Sequence, residues 1–141
     1  MMDVRKHGRW KLVDWLWLAP FVLVMSLWPR WRRNYWRGYV TVSVLTDTIY
    51  TPHGTVSTDL RRHEEFHAHQ RDRDGLFWFV VRYVCSTRWR IWYEAEAYYV
   101  QGRDADSTTA ALMDMYMVLW PRQHVVALVL WARSQMRLRG L

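Results

Sequence analysis

The sequence predicts an α+β fold that is predominantly helical. Residues 39–45 alternate apolar and hydroxyl side chains and include many β-branched residues, which predicts a strand. A turn at 46–47 and a second strand at 48–51 complete a predicted β-hairpin. The segments that follow have helical spacing, and two of them end at Gly75 and Gly102, as helices often do. A chain of 141 residues is expected to form one domain.

Three regions are expected within this domain. Residues 1–38 form a basic, tryptophan-rich segment with an apolar helix, residues 39–102 form the core, and residues 103–141 form a pair of helices. Asp59 is the predicted N-cap of the first core helix. The core is predicted to contain, in order, two strands and three helices: 39–45, 48–51, 58–75, 76–85 and 90–101.

The remaining helices are predicted from apolar runs and from capping residues. The helix at 76–85 is apolar enough to be buried. A later helix runs to residue 120 with Ser107 as N-cap, and the last helix begins at Pro121. Residues 125–131 are apolar nearly all round, which predicts a central position or a contact with another chain in a homo- or hetero-oligomer. A core stripe is expected from Leu112, Met115, Tyr116 and Leu119.

The composition restricts the partners but does not choose among them. The formal net charge is +7, carried by eighteen arginines and two lysines, and there are eleven tryptophans. Arginine with tryptophan suits phosphate binding, stacking and interfacial anchoring, so nucleic acid, anionic lipid and acidic protein surfaces are candidate partners. The single cysteine, Cys85, excludes an intrachain disulfide and is predicted to be a buried thiol.

The N-terminal segment resembles a membrane signal in layout. Basic residues 1–11 precede an apolar run at 12–28, which Asp14 and Pro20 interrupt. As a helix the run rises only about 25 Å, less than a hydrocarbon core of about 30 Å. A spanning helix and an interfacial helix are alternatives, but a helix packed in the globular domain is preferred. The expected compartment is the cytoplasm, including that of a host cell, with membrane association through 12–28 as the alternative.

Residues 29–38 alternate arginine with aromatic residues. Such a segment grips a single nucleic-acid strand when bases stack on the rings and arginine neutralises phosphate. It also fits the flank of a membrane-proximal helix. The preferred interpretation is an irregular connection whose rings cover the core.

The most specific motif is the H-E-x-x-H run formed by His63, Glu64 and His67. Residues four apart lie about 40° apart on a helix, so both imidazoles can reach one metal ion. Glu64 lies about 100° from His63, where it can meet a metal-bound water without ligating the metal. These positions predict a zinc site with Glu64 as general base, whereas a solvated charged helix is the alternative.

A catalytic zinc site needs a third protein ligand, and the only glutamates outside the H-E-x-x-H run are Glu94 and Glu96. Two positions apart on a helix, they point about 160° away from each other, so at most one faces the metal. Glu94 shares its face with Ala97, whose small side chain allows close helix packing. The residues alone leave the choice between the two glutamates open.

The H-E-x-x-H run is followed, 27 positions after His67, by Glu94-Ala95-Glu96-Ala97. This arrangement resembles the gluzincin type of zincin metallopeptidase. It is similar in particular to very small zincin-like proteins of bacteria and their phages. The resemblance covers residues 40–102 and implies that His63, His67 and Glu94 bind one Zn²⁺ ion. Tyr98 stands where many gluzincins have an aspartate that hydrogen-bonds a ligand histidine, so support for the ligands must come from another group.

A zinc peptidase also needs a substrate-binding strand and an oxyanion donor. By the same resemblance, residues 48–51, with Tyr50 and Thr51, are the candidate edge that pairs with an extended peptide or protein substrate. Tyr50, Tyr98 and His124 are candidate oxyanion donors. The alternative function is a non-catalytic structural or interaction protein with a zincin-like core, whose arginine- and tryptophan-rich surface binds nucleic acid, membrane or a partner chain.

Overall fold

The computed structural model describes residues 3–6, 23, 26–29, 32–33, 42–43, 47–51, 55–116 and 118–141. These ranges contain three short strands and five helices. The predominance of helix confirms the predicted α+β class. The chain divides into two compact units, Met1–His69 and Gln70–Leu141. The predicted division into three regions stays a prediction.

A three-stranded sheet lies in the first unit. Its strands are β1 (Asp3–Lys6), β2 (Val42–Ser43) and β3 (Thr48–Thr51), in the order β1-β3-β2. Strands β2 and β3 pair antiparallel with Val42 opposite Tyr50, which confirms the predicted hairpin. Strand β1 pairs parallel to β3, with Asp3 opposite Thr48. The sequence did not predict β1, because three of its four residues are charged and give no apolar alternation.

The position of β3 corrects one functional prediction. All four of its residues are buried, and its main chain pairs with β1 on one side and β2 on the other. An extended substrate adds only to a free strand edge. The prediction that residues 48–51 form a substrate-binding edge is therefore wrong.

Helix α1 (Thr58–Asp74) has a hydroxyl cap at its start and a glycine stop at its end. The Ser57 Oγ atom accepts a hydrogen bond from the Leu60 N–H at 3.2 Å. Ser57 is thus the N-cap, and the prediction of Asp59 is wrong by two residues. Asp59 instead lies in the first turn, where a carboxylate complements the helix dipole. Gly75 follows with φ 81°, which confirms the predicted stop.

Four helices form the second unit together with the last turn of α1: α2 (Leu76–Cys85), α3 (Thr87–Val100), α4 (Ala105–Met115) and α5 (Arg122–Leu138). Helix α3 packs against α2, α4 and α5, and α4 packs against α5. Residues 91–98 of α3 are all buried. A helix buried all round must satisfy any charged side chain internally, and α3 carries two such carboxylates.

The helix starts in this unit follow their caps. The Ser86 hydroxyl accepts from the Trp89 N–H, so α3 begins three residues before the predicted start at Arg90. The Asp104 carboxylate accepts from the Ser107 N–H at 2.7 Å, so the predicted N-cap at Ser107 is wrong. Helix α5 begins directly after Pro121, as predicted.

The core confirms part of the predicted stripe on α4. Leu112 and Tyr116 are buried, and Met115 packs against the core at its edge. Leu119 is 82% exposed, because α4 ends at Met115 rather than at residue 120. Residues 125–131 are likewise partly buried and partly exposed. Val125 and Val129 are buried, whereas Leu130 and Trp131 are exposed. Only one face of this helix therefore contributes to the core.

Helix α2 contradicts the prediction of a buried element. None of its residues is buried, and Phe77 and Trp78 are 69% and 57% exposed. Cys85 is also exposed, so the prediction of a buried thiol is wrong. Phe79 and Tyr83 are the side chains of α2 that pack against the core cluster. Apolar composition alone did not reveal that the rest of the helix faces outward.

The predictions for residues 12–28 and 29–38 lie outside the described residues apart from a few isolated positions. Within the described ranges, no helix combines the length and apolar character needed to cross a bilayer.

Candidate metal centre

The histidine pair is formed by successive turns of α1. His63 and His67 are 1% and 8% exposed, and their Nε2 atoms lie 3.1 Å apart. The ring planes are almost perpendicular, at 83°. Two nitrogen ligands at 2.0–2.1 Å from a tetrahedral zinc ion lie about 3.4 Å apart. The two rings thus present their Nε2 atoms at nearly the separation that one shared ion requires.

Glu94 of α3 is grouped with the two histidines. The ligand atoms of His63, His67 and Glu94 all lie within 4.8 Å of one another, and all three side chains are buried. Two imidazoles and one carboxylate form a donor set that suits zinc, and the same set occurs around non-haem iron. The residues present therefore fit a single metal ion, while the donors alone do not decide its identity.

Glu64, the glutamate of the H-E-x-x-H motif, is 5% exposed. It follows a ligand candidate directly and is separated from it by about 100° around the helix. The structure thus keeps Glu64 inside the protein with His63, and its role as general base stays a prediction.

Glu96 has a different set of partners from Glu94. Its carboxylate is fully buried and accepts hydrogen bonds from the Gln70 amide at 2.9 Å and from two guanidinium groups. Those groups belong to Arg73 and Arg139, each at 3.2 Å. Glu96 therefore joins the last turn of α1 to α3 and α5, and of the two glutamates only Glu94 is grouped with the histidines.

Gln70 is a residue that the sequence analysis missed. It is fully buried, and its amide donates to the Tyr93 carbonyl as well as to Glu96. Seven positions after His63, it lies only about 20° from that residue around the helix. This shared face was the signal that could have identified it.

Tyr83 of α2 supports the candidate ligand Glu94. Its hydroxyl donates a hydrogen bond to the Glu94 Oε1 atom. A hydrogen bond to a ligating carboxylate fixes its orientation and tunes its affinity for metal. Because Tyr98 replaces the usual aspartate, such support was expected from another group, and Tyr83 carries the one hydroxyl in the apolar run of α2.

A pair of tyrosines, Tyr98 and Tyr116, lies close to Glu94 in the core. The Tyr98 and Tyr116 hydroxyls are 3.3 Å apart, and both rings are buried. Burial raises the pKa of Tyr116 well above 10, and the negative charge of Glu94 raises this pKa further. Tyr116 therefore keeps its proton at neutral pH and can act as a hydrogen-bond donor.

The other predicted donors are in separate places. Tyr50 and Thr51 are fully buried in β3, the middle strand of the sheet. His124 is exposed in the first turn of α5. His124 does not belong to the metal-ligand group of the described residues. The proposed roles of Tyr98 and His124 as oxyanion donors stay predictions.

No family model matches the chain, and neither does any curated protein or solved structure. The class of site is thus defined by its own residues: two histidines and a glutamate, buried together on two helices.

Proposed function

We propose that the protein is a zinc-dependent peptidase in which His63, His67 and Glu94 hold one zinc ion and Glu64 is the general base. The observation that supports the proposal is the buried group of three ligand candidates within 4.8 Å. The position of Glu64 favours zinc-dependent hydrolysis, because a carboxylate next to the first ligand in the helix can take a proton from water.

Each residue has a defined role in this proposal. Bound at this site, a zinc ion supplies a Lewis acid for the substrate carbonyl and lowers the pKa of water toward about 7. Glu64 takes a proton from the water as its oxygen adds to the carbonyl carbon. It then passes the proton to the amine nitrogen as the carbon–nitrogen bond breaks. Tyr83 holds the Glu94 carboxylate in place through its hydroxyl.

Metal analysis tests the ligand assignment. We expect one zinc ion per chain in the wild type, loss of the ion in His67→Ala and Glu94→Ala, and retention in Glu96→Ala. Glu96→Ala is the matched control because it removes a buried carboxylate from the same helix. Zinc retained in both His67→Ala and Glu94→Ala would exclude this site.

A peptide-library digest tests the chemistry. We expect cleavage by the wild type, inhibition by a chelator, and recovery when zinc is returned. Glu64→Gln should keep zinc and lose hydrolysis. Unchanged turnover in Glu64→Gln would remove Glu64 from the mechanism.

A non-catalytic protein with a zincin-like core is the second candidate, and burial favours it. The side chains that would form the site are at most 8% exposed, and β3 offers no free edge: His63, Glu64, His67 and Glu94 are all buried. On this alternative the metal stabilises the fold, and the arginine- and tryptophan-rich surface binds nucleic acid, membrane or a partner chain. Zinc binding with no cleavage of any library peptide would favour this candidate over the peptidase.

A further inference from the structure

A cavity of about 380 Å³ in the second unit has an unusual lining. Its volume falls in the range of about 300–1,000 Å³ that is typical of small-molecule sites. Seven of its nine lining residues carry a guanidinium or an indole group: Arg73, Arg82, Arg88 and Arg139, with Trp89, Trp92 and Trp131. None of the residues that line the cavity belongs to the metal-ligand group.

Three of the arginines are held by carboxylates. Glu96 accepts from Arg73 and Arg139, each at 3.2 Å. Asp74 pairs with Arg73 at 2.9 Å and with Arg82 at 3.6 Å. Because these contacts already restrict the guanidinium groups, a ligand that binds them loses less conformational entropy on their account.

The charges around the cavity do not cancel. Four arginines line the cavity. Among the described residues these arginines pair with two carboxylates, Asp74 and Glu96. Two positive charges are left in excess. A phosphate monoester carries a charge of about −1.5 to −2 at neutral pH. A guanidinium group binds phosphate through two parallel N–H···O hydrogen bonds. A single carboxylate would cancel only one of the two charges, whereas two successive phosphodiesters of a strand, with one charge each, would cancel both.

The tryptophans add flat apolar surface beside these charges. Trp89 and Trp131 remain 37% and 48% exposed. Arg82 lies over the Trp89 ring at 4.5 Å, and Trp92 supports Trp131 with ring centroids 4.3 Å apart. A half-exposed indole fixed from behind is a stacking platform for another planar ring.

We propose that this cavity binds a nucleotide, with the base stacked on Trp131 and the phosphate held by the arginines. The recognised chemistry is a flat nitrogenous base joined to a phosphate. A free nucleotide and a nucleotide within a single strand both carry it. The proposal stands independently of peptidase activity, since it uses none of the metal-ligand group or Glu64.

Binding of two probes to the full-length protein tests the proposal. The first is a fluorescein-labelled single strand of eight thymidine nucleotides, followed by anisotropy, and the second is adenosine monophosphate in equilibrium dialysis. Binding of the strand alone assigns the cavity to single-stranded nucleic acid. Binding of adenosine monophosphate as well assigns it to free nucleotides.

Two variants connect the binding to the cavity. Trp131→Leu keeps an apolar side chain and removes the ring, and we expect affinity to fall about tenfold. Arg88→Ala removes an exposed guanidinium of the lining. Log affinity for the strand falls linearly with log salt, and we expect Arg88→Ala to make this slope less steep by about 0.7. Loss of structure alone does not produce such a change.

Matched controls are available on α5, where Leu130 and Arg137 are exposed outside the cavity lining. Leu130→Ala and Arg137→Ala should leave both probes bound as in the wild type. The proposal is overturned if neither probe binds, or if Trp131→Leu and Arg88→Ala bind as the wild type does. It is also overturned if vesicles of phosphatidylserine bind through Trp131 and Arg88 while both nucleotide probes fail.

Discussion

Glu94 and Glu96 show how the phase of a helix separates two functions. They lie two positions apart on α3, and both are almost fully buried. Glu94 is grouped with the histidines and accepts the Tyr83 hydroxyl, whereas Glu96 is surrounded by the donors of Gln70 and two arginines. A buried carboxylate must be paired or must bind a cation, and each glutamate has a different solution.

Replacing Glu96 should affect stability and leave metal content unchanged. Glu96→Gln keeps the shape of the side chain but removes the charge that pairs with Arg73 and Arg139. We expect the free energy of unfolding to fall by about 1–3 kcal/mol, since both arginines are partly exposed and regain some hydration. Urea unfolding measures the loss. Zinc content below that of the wild type would contradict the assignment of Glu96 as a purely structural carboxylate.

Replacing Tyr83 should affect the metal more than the fold. Tyr83→Phe removes the hydroxyl that donates to Glu94 and keeps the ring against the core. We expect zinc affinity to fall about 10–100-fold, as it does when other partners of metal ligands are removed. Competition with a chromophoric chelator measures the affinity.

Tyr99→Phe is the control for this change, because the Tyr99 hydroxyl donates to the carbonyl of Leu141 instead. Equal zinc affinity in Tyr83→Phe, Tyr99→Phe and the wild type would show that the hydroxyl does not support the ligand.

At the scale of elements, α1 combines two roles along its length. Its middle turns carry the histidines, and its last turn carries residues that bind α3. Asp74, the final residue, accepts hydrogen bonds from Arg73 at 2.9 Å and from the Tyr93 hydroxyl at 2.6 Å. The end of α1 is therefore fixed to α3 by a network of hydrogen bonds and ion pairs.

This network predicts a pH dependence of stability. The hydrogen bond from Arg73 is the main cause that lowers the pKa of Asp74 below its ordinary value, and the Tyr93 hydroxyl contributes in the same direction. The contribution of Asp74 is therefore complete above the unfolded pKa, about 3.9, and is lost as pH falls through the lower folded pKa. We expect Asp74→Asn to lower the free energy of unfolding by about 1 kcal/mol at pH 7.

Urea unfolding at neutral pH and at about pH 2 measures this difference, which should shrink in acid. Asp72→Asn is the control, because Asp72 lies on the same helix and its side chain is 67% exposed. A difference between Asp74→Asn and the wild type that persists undiminished in acid would contradict the prediction.

Helix α2 shows that one residue of an element can matter more than its apolar content. Its exposed side chains, such as Phe77 and Trp78, make no contribution to the core cluster. Tyr83 packs against that cluster and reaches Glu94 from the same helix. Helix α2 thus positions a phenol beside a buried carboxylate.

At the scale of the whole molecule, metal binding should be coupled to folding. A ligand that binds only the folded chain stabilises it by about 4 kcal/mol at a free concentration 1,000 times its Kd. We expect zinc to raise the Tm of the wild type and a chelator to lower it. His67→Ala should show neither shift, and an equal shift in that variant would place zinc elsewhere on the chain.

The sequence by itself determined the features that depend on neighbouring residues. Helical spacing put His63 and His67 on a common face, and the glycine at position 75 predicted the helix stop that its positive φ confirms. Alternation predicted the hairpin, in which residues 42–43 pair with 49–50. Each follows from backbone geometry over a few residues, so no knowledge of distant contacts was needed.

Only the tertiary structure decided which side chains meet across the chain. It grouped Glu94 with the histidines, gave Glu96 its arginines, and brought Tyr83 to Glu94. It also paired β1 with β3, which removed the predicted substrate edge, and turned most of α2 outward. The physical reason is that burial and pairing depend on what packs against a residue, and that partner lies far away in sequence.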